Sequence, residues 1–426
     1  MTQRRAYFVL FTVMLITVLG TAGIALPYPV LAPYFLEAEP NQLTHFLGFP
    51  PKLLLGVALG IYPLGLLVGG MFIGALSDEY GRKRVLLITM FGSVLGYLAT
   101  AAAVVWESYL LFLVARFMTG LFEGNIAIAR AIALELHPVI DRTKAISLTY
   151  ATVYAGWLVG PLAGGYLAVY GEDAPFLVGA VTMVVSMIVT ALAIEGVSKQ
   201  EGAEEKPRRN LRETRQFLVQ QMREQNSLGL LKNSDIHPIF WYYFAYAIGL
   251  NMFYEFYPIW MVDKLGADSR AIGWGGVVVT AAMILMSTFW ASPLANRFGQ
   301  SRTMLASSSI LALLFFMQPL VGHPFLYAVF AFIGATIALG NGLVPTYLSE
   351  NFGRMGEGRV MGLQTTVFCL TNIVVALFGS LIALLDTTFA LWLGAVVMGL
   401  SMSFVPGMGR VAARLRATQP EAVPAA

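Results

Sequence analysis

Apolar runs long enough to cross a bilayer, about 20 residues each, recur near 7–36, 52–77, 84–105, 108–135, 144–170 and 174–195. After a polar interval, six more follow near 238–262, 271–295, 302–321, 325–349, 359–385 and 388–408. In hydrocarbon every backbone N–H and C=O needs a partner inside the protein, and a helix supplies one within each segment. The pattern therefore predicts an all-α membrane protein of twelve transmembrane helices in two pseudo-symmetric six-helix bundles. Residues 1–195 form the first bundle, 196–236 a linker, 237–409 the second bundle and 410–426 a tail. Charged residues make up 12% of the chain, against about 25% in a soluble domain. The first run follows Met-Thr-Gln-Arg-Arg as a signal peptide would, but it is too long for a signal core and is read as a retained helix.

The basic residues orient the helices. Of 27 Lys and Arg, 22 fall at the N-terminus, in the 2–3, 4–5, 8–9 and 10–11 loops, in the linker and in the tail. The opposite face holds Lys52, Lys264 and Arg270, and Arg116 and Arg130 lie within a span. By the excess of positive charge on cytoplasmic loops, both termini are cytoplasmic and the chain belongs in the inner membrane.

Composition narrows the chemistry. A net charge of +3 is too small for a nucleic-acid binder. The single cysteine, Cys369, leaves no intramolecular disulfide and no cysteine-cluster metal site, and His45, His137, His237 and His323 are scattered at loop edges. The zinc-protease H-E-x-x-H, the hydrolase G-x-S-x-G and the Walker A sequence are missing. The expectation is a protein that is not an enzyme, without cofactor or metal. Its partners are a small-molecule substrate, protons and lipid, and the chain is read as a monomer.

Between the second and third runs stands Gly74-Ala-Leu76-Ser-Asp78-Glu79-Tyr-Gly81-Arg82-Lys83-Arg84-Val-Leu-Leu87. Gly74 is expected to admit a neighbouring helix, Gly81 to take a positive φ at a sharp reversal, and Asp78 to cap a helix or meet a cation. This stretch resembles the loop between helices 2 and 3 of the major facilitator superfamily, G-x-L-a-D-r-x-G-r-k-x-x-l, with Glu79 replacing a usually basic residue. A weaker copy, Ala295-Asn296-Arg-Phe-Gly299-Gln-Ser-Arg302, lies six spans later, as two related halves require. In the linker, Leu211, Thr214, Phe217, Leu218 and Met222 recur at helical spacing. That fits either an amphipathic helix on the cytoplasmic leaflet or a solvated connector.

A charge at the bilayer centre costs about 2.5–3.5 kcal/mol on insertion scales, so those that persist usually face a cavity. Only Glu123 and Glu255 among the acidic residues fall mid-span. On a continuous fourth helix, Arg116, Gly120, Glu123, Ala127 and Arg130 share one face. The seven-residue steps between the charges, about 10.5 Å each, suit interaction across a cavity better than direct pairing. A buried structural ion network is the competing reading. The Arg-x-x-x-Gly at 116–120 resembles the superfamily's helix 4 motif, whose arginine is linked to proton transfer. Glu135, at the end of that helix, resembles the acid that pairs with the 2–3 loop. The resemblance implies a cytoplasmic gate of Gly74, Asp78, Gly81, Arg82 and Glu135.

In the fifth run, Gly156, Gly160, Pro161, Gly164 and Gly165 match the helix 5 antiporter motif g-x-x-x-G-P-x-x-G-G, carried by exporters of the superfamily. Small residues allow close helix contact, and Pro161 removes a backbone donor. The seventh run puts Asn251, Tyr254, Glu255 and Pro258 on one stripe amid Phe253, Phe256, Tyr257 and Trp260. One carboxylate among rings suits an amphipathic or cationic solute; an interfacial aromatic belt is the alternative. Further cavity candidates are Thr17, Thr21 and Tyr28, then Tyr150, Tyr154 and Trp157, then Asn341, Gln364, Phe368 and Asn372.

The whole chain resembles the drug:proton antiporter branch, which includes tetracycline-type exporters. That implies a secondary exporter working by alternating access, with protons entering as a small amphipathic compound leaves. Several members carry an acid in helix 1, and 7–36 has none before Glu37. Coupling then rests on Glu123, Glu255, Arg116 and Arg130. The alternative is uptake or secretion of a specific metabolite, such as a siderophore, by the same fold. A membrane enzyme or receptor would need a nucleophile cluster, metal site or large soluble domain, and the sequence offers none of them.

Overall fold

The computed structural model describes residues 2–194, 227–322, 325–355 and 357–417. Among these residues it is helical, with short 3-10 and π turns and no strand. Twelve long helices account for the twelve runs: α1 Gln3–Leu36, α2 Pro51–Tyr80, α3 Arg82–Val105, α4 Tyr109–Leu134, α5 Arg142–Leu167, α6 Ala174–Ala193, α7 His237–Leu265, α8 Ser269–Phe289, α9 Gln300–Met317, α10 Leu326–Phe352, α11 Arg359–Ala383 and α12 Thr387–Leu415. Among the described residues, eleven regions are apolar and long enough to cross a membrane; α7, 29 residues long, is not among them. Its Tyr242, Tyr243, Tyr246, Tyr254 and Tyr257 lower its mean hydropathy without shortening it. The linker helix expected over 211–222 lies outside the described residues. Apolar side chains cover much of the surface: Phe11 is 62% exposed and Leu192 75%. Such a surface suits lipid and would aggregate in water.

Two compact units divide the chain. One takes Met1–Glu224, Pro258–Thr280 and Ala376–Thr387; the other takes Gln225–Tyr257, Ala281–Val375 and Thr388–Ala426. The first unit thus includes the end of α7, the start of α8 and the end of α11 along with the first six helices. Glycine contacts explain part of that grouping. A Cβ on Gly56 of α2 would fall 2.6 Å from the Ser380 Cβ, beside a π-turn over Val375–Gly379 in α11. One on Gly273 of α8 would stand 2.6 Å from the Pro161 carbonyl oxygen.

Within the first unit, α1 packs on α5 and α6, α2 on α4, and α3 on α4 and α6. α1 turns at Leu26–Pro27, where Gln3–Ala25 gives way to Tyr28–Leu36. The α5 glycines fit directly against it. A Cβ on Gly156 or Gly160 would come 2.6 Å from the Cβ of Thr21 or Ala25, and one on Gly164 would strike the Leu26 carbonyl. Gly165 abuts the Ser269 carbonyl at 2.5 Å instead. Here small side chains bring backbones together where hydrophobic burial gives no net drive. Gly74 behaves otherwise: it is exposed and no atom lies within 4 Å of its Cβ position, so it admits no helix. It sits near the end of α2, beyond where Gly65 and Gly69 meet the α4 backbone.

In the second unit the aromatic residues of α7 are core. Phe253 stacks on Phe315 at 5.2 Å and on Tyr257 at 5.1 Å, with Phe330 edge-on to both. Tyr242 bonds Ser308 at 3.0 Å. Phe253 and Tyr257 therefore hold α7 to α9 and α10, rather than forming a ring of faces around Glu255.

These contacts separate the glycines by consequence. Gly160→Leu should lower the detergent-solubilised melting temperature or abolish folded yield, as overpacking costs about 1–3 kcal/mol or more. Gly74→Ala should leave it unchanged or raise it, since alanine is favoured over glycine in a helix by about 1 kcal/mol.

Candidate functional site

The site begins with a break in α4. Its helical segments Tyr109–Phe122 and Asn125–Leu134 are separated by Glu123, with ψ of 31°, and Gly124, with ψ of 2°. The continuous face expected for Arg116, Glu123 and Arg130 is therefore interrupted at its central charge. Both sides of the break are tightly seated. A Cβ on Gly124 would meet Ile73 Cγ2 at 2.5 Å, and Gly120 rests on the Tyr62 carbonyl. Ala127, expected on the same face, is exposed, and Arg130 is half-buried.

Glu123 is 2% exposed and each of its carboxylate oxygens accepts a phenol hydroxyl. Tyr62 of α2 donates to Oε2, and Tyr97 of α3 donates to Oε1 at 2.6 Å. Arg116, 3% exposed, places its guanidinium 4.5 Å over the centre of the Tyr62 ring. Its Nε and NH1 have no hydrogen-bond partner among the described residues. A cation above a ring face is stabilised by the ring's quadrupole. Glu123 is thus held by two tyrosines, with Arg116 reaching it through the Tyr62 ring. Nothing in the sequence paired Tyr62 or Tyr97 with Glu123, because that contact spans three helices.

Glu255 is held differently. It lies in α7 at 3% exposure, and neither carboxylate oxygen has a hydrogen-bond partner among the described residues. One turn earlier, Asn251 donates to Thr371 Oγ1 at 3.1 Å and the Phe368 carbonyl at 3.4 Å, and accepts from Asn372 at 3.4 Å. These bonds tie α7 to α11 beside the carboxylate and leave Asn251 engaged with the protein. Tyr254 is half-buried and reaches Met283 Sδ at 3.6 Å. Gln364 lines a small cleft with Phe240, Tyr243 and Leu348. Phe368 is 39% exposed and Asn341 half-buried.

Tyr28 and Trp157 meet edge to face at 5.4 Å, joining α1 to α5, and Tyr154 is half-buried on the same helix. Thr17 and Thr21 leave the candidate set. Both are buried and bond carbonyls of their own helix, Val13 at 2.7 Å and Thr17 at 2.8 Å, and Gly156 closes over Thr21. The Tyr150 side chain lies outside the described residues.

At the ends that carry the basic loops, each half repeats one device. Gly81 has φ of +90° and Gly299 +82°, a conformation that glycine adopts without strain. The residue after each glycine reaches an acid near the end of a later helix. Arg82 meets Asp78 at 2.5 Å, Glu135 at 2.8 Å and Ser77 Oγ at 2.6 Å. Gln300 meets Glu350 at 2.9 Å. Sequence reading found the first acid and overlooked the second. At the opposite end, Lys52 meets Asp263 at 3.1 Å and Thr387 at 3.2 Å, and Lys264 meets Asp386 at 2.8 Å. Arg270 lies 5.4 Å over Tyr166. All three basic residues of that face are therefore engaged.

Comparison with known proteins agrees with this architecture. The model of the Major Facilitator Superfamily matches residues 10–241 and 239–425. The tetracycline resistance protein, class H, of Pasteurella multocida is 24% identical over 85% of this chain and 84% of its own length. Multidrug resistance protein 2 of Bacillus subtilis is 22% identical over 95% of each. The crystal structure of a D-xylose–proton symporter superposes with a TM-score of 0.71 at 17% identity, covering 93% of this chain and 97% of that one.

Arg82 serves three acceptors with one planar group, a geometry that an ammonium cannot reproduce. Arg82→Lys should therefore lower transport in whole cells severalfold, and Arg82→Ala more, with both proteins present in the membrane at wild-type amounts by immunoblot.

Proposed function

The chain belongs to the major facilitator superfamily and is an integral multi-pass membrane transporter, and from that premise we propose that it exports a small amphipathic or cationic compound in exchange for protons. Both termini would lie in the cytoplasm, with the Arg82–Asp78–Glu135 cluster as a gate on that side. The Gly156–Gly165 match to the exporter motif supports the outward direction, as does the similarity to tetracycline and multidrug resistance proteins.

The observation that carries the reading is Glu255. A buried carboxylate without a donor is costly when ionised unless a cation joins it. Two species can fill that role in turn: a proton, or the positive group of a compound whose apolar body suits the surrounding side chains. Competition between them gives exchange, since release of one is favoured by arrival of the other. Alternating access follows if each occupant favours a different arrangement of the halves, because a ligand shifts an equilibrium only by its differential affinity. Asn251, Tyr254 and Gln364, with Tyr28, Tyr154 and Trp157, are the residues proposed to meet the compound; Asn341 and Phe368 complete the set.

The test is substrate-driven proton movement in inverted membrane vesicles, with a panel of lipophilic cations and neutral amphiphiles. Glu255→Gln should reduce exchange of cationic compounds at least about tenfold, equivalent to about 1.4 kcal/mol, and Glu123→Gln should reduce proton coupling. Wild-type exchange by both variants would refute the scheme, and accumulation inside whole cells in place of resistance would reverse the direction.

A further inference from the structure

Glu123 and its surroundings carry more than a pair of hydrogen bonds. An ionised carboxylate only accepts, and here both oxygens are supplied with a donor, one by Tyr62 and one by Tyr97. A protonated carboxyl must itself donate from one oxygen. One of the two phenols then has to turn its O–H away and accept, so arrival of a proton breaks the symmetry of the clamp.

The packing decides which tyrosine turns. Tyr97 is fully buried and wedged between small residues: a Cβ on Gly179 of α6 would stand 3.0 Å from its ring, and one on Gly23 of α1 3.5 Å from its hydroxyl. Tyr62 is 7% exposed, and its ring carries the Arg116 guanidinium. The groups the structure sets against Glu123 are Tyr62 from α2, Tyr97 from α3 and Arg116 from α4 itself; Arg130 lies beyond the break. α1 offers no titratable side chain between Tyr7 and Tyr28, and the embedded titratable groups of α5 are Tyr150 and Tyr154.

We infer that Tyr62 is a positioning residue that registers the protonation of Glu123 and passes it to Arg116 and to the break in α4. With Glu123 ionised, the two tyrosines pin the break from two helices, and Arg116 is balanced through the Tyr62 ring. On protonation, the Tyr62–Glu123 bond reverses so that Tyr62 accepts from the carboxyl, the negative charge at the hydroxyl end of the ring under Arg116 is neutralised, and the two-donor clamp on the break becomes asymmetric. The proton moves from water to a carboxylate oxygen, and no other bond is made or lost beyond the hydrogen bonds described. The transport consequence rests on the proton-exchange reading above; the clamp does not.

The experiment follows the carboxyl C=O band of the purified full-length protein by infrared difference spectroscopy through a pH titration. The band that titrates should vanish in Glu123→Gln. In Tyr62→Phe, which keeps the ring under Arg116, its midpoint should shift by about one pH unit, since one of the two hydrogen bonds to the carboxyl is gone. The pH profile of exchange in vesicles should move in the same direction, whereas a purely structural role would lower the rate equally at every pH. An unmoved midpoint in Tyr62→Phe overturns the inference. A midpoint that shifts in a protein whose wild type exchanges no protons refutes the transport reading and leaves the clamp standing.

Discussion

The structure depends on how it treats a carboxylate inside a hydrocarbon layer. Such a group must be neutralised or satisfied, and the two embedded acids meet that demand in opposite ways. Glu123 has a donor for each oxygen and a cation one ring away. Glu255 is equally buried and, among the described residues, has neither donor. One has its acceptor oxygens supplied from within the protein, and among the described residues the other has no donor for either. On the proposed reading, the first serves coupling and the second holds cargo.

Placing Glu123 brings backbones close together, and close backbone approach recurs elsewhere in the first unit. The glycine stripe of α5 lets it sit against α1, and Gly120 lets α4 touch the Tyr62 carbonyl. Without that approach the Tyr62 hydroxyl would not reach Glu123. The packing motif and the charged site are therefore one construction, in which small side chains set the distance that the polar groups use. The same economy closes the helix ends. Gly81 and Gly299 reverse the chain with positive φ and turn the next residue toward an acid in each half. The repeat survives even where arginine has become glutamine.

Several features were legible beforehand because they are local. Hydropathy marks the spans, the loop motif marks the reversal at Gly81, and the exclusion of charge from lipid singles out Glu123 and Glu255. α7 was legible as a long run bounded by polar segments, although its tyrosines leave it below the hydropathy of the other spans. Other expectations failed for reasons that sequence spacing does not contain. Gly74 looked like a contact glycine, yet the crossing of α2 with α4 is centred nearer Gly65 and Gly69. Thr17 and Thr21 looked like cavity hydroxyls, yet each closes on its own helix. The rings near Glu255 looked like a binding cage, yet Phe253 and Tyr257 fill the core with Phe315 and Phe330.

The amino-acid order by itself determined that this chain is an all-α, multi-pass membrane protein with two acids and two arginines that lipid would not tolerate bare. It could do so because bilayer thickness and charge desolvation act on each segment alone. Only the tertiary structure decided which acid is clamped and which, among the described residues, stands without a donor. Tyr62, Tyr97 and Glu123 come from three helices, and their meeting depends on helix rotation and close backbone approach. Those are set by packing between segments, on which the periodicity of any one segment is silent.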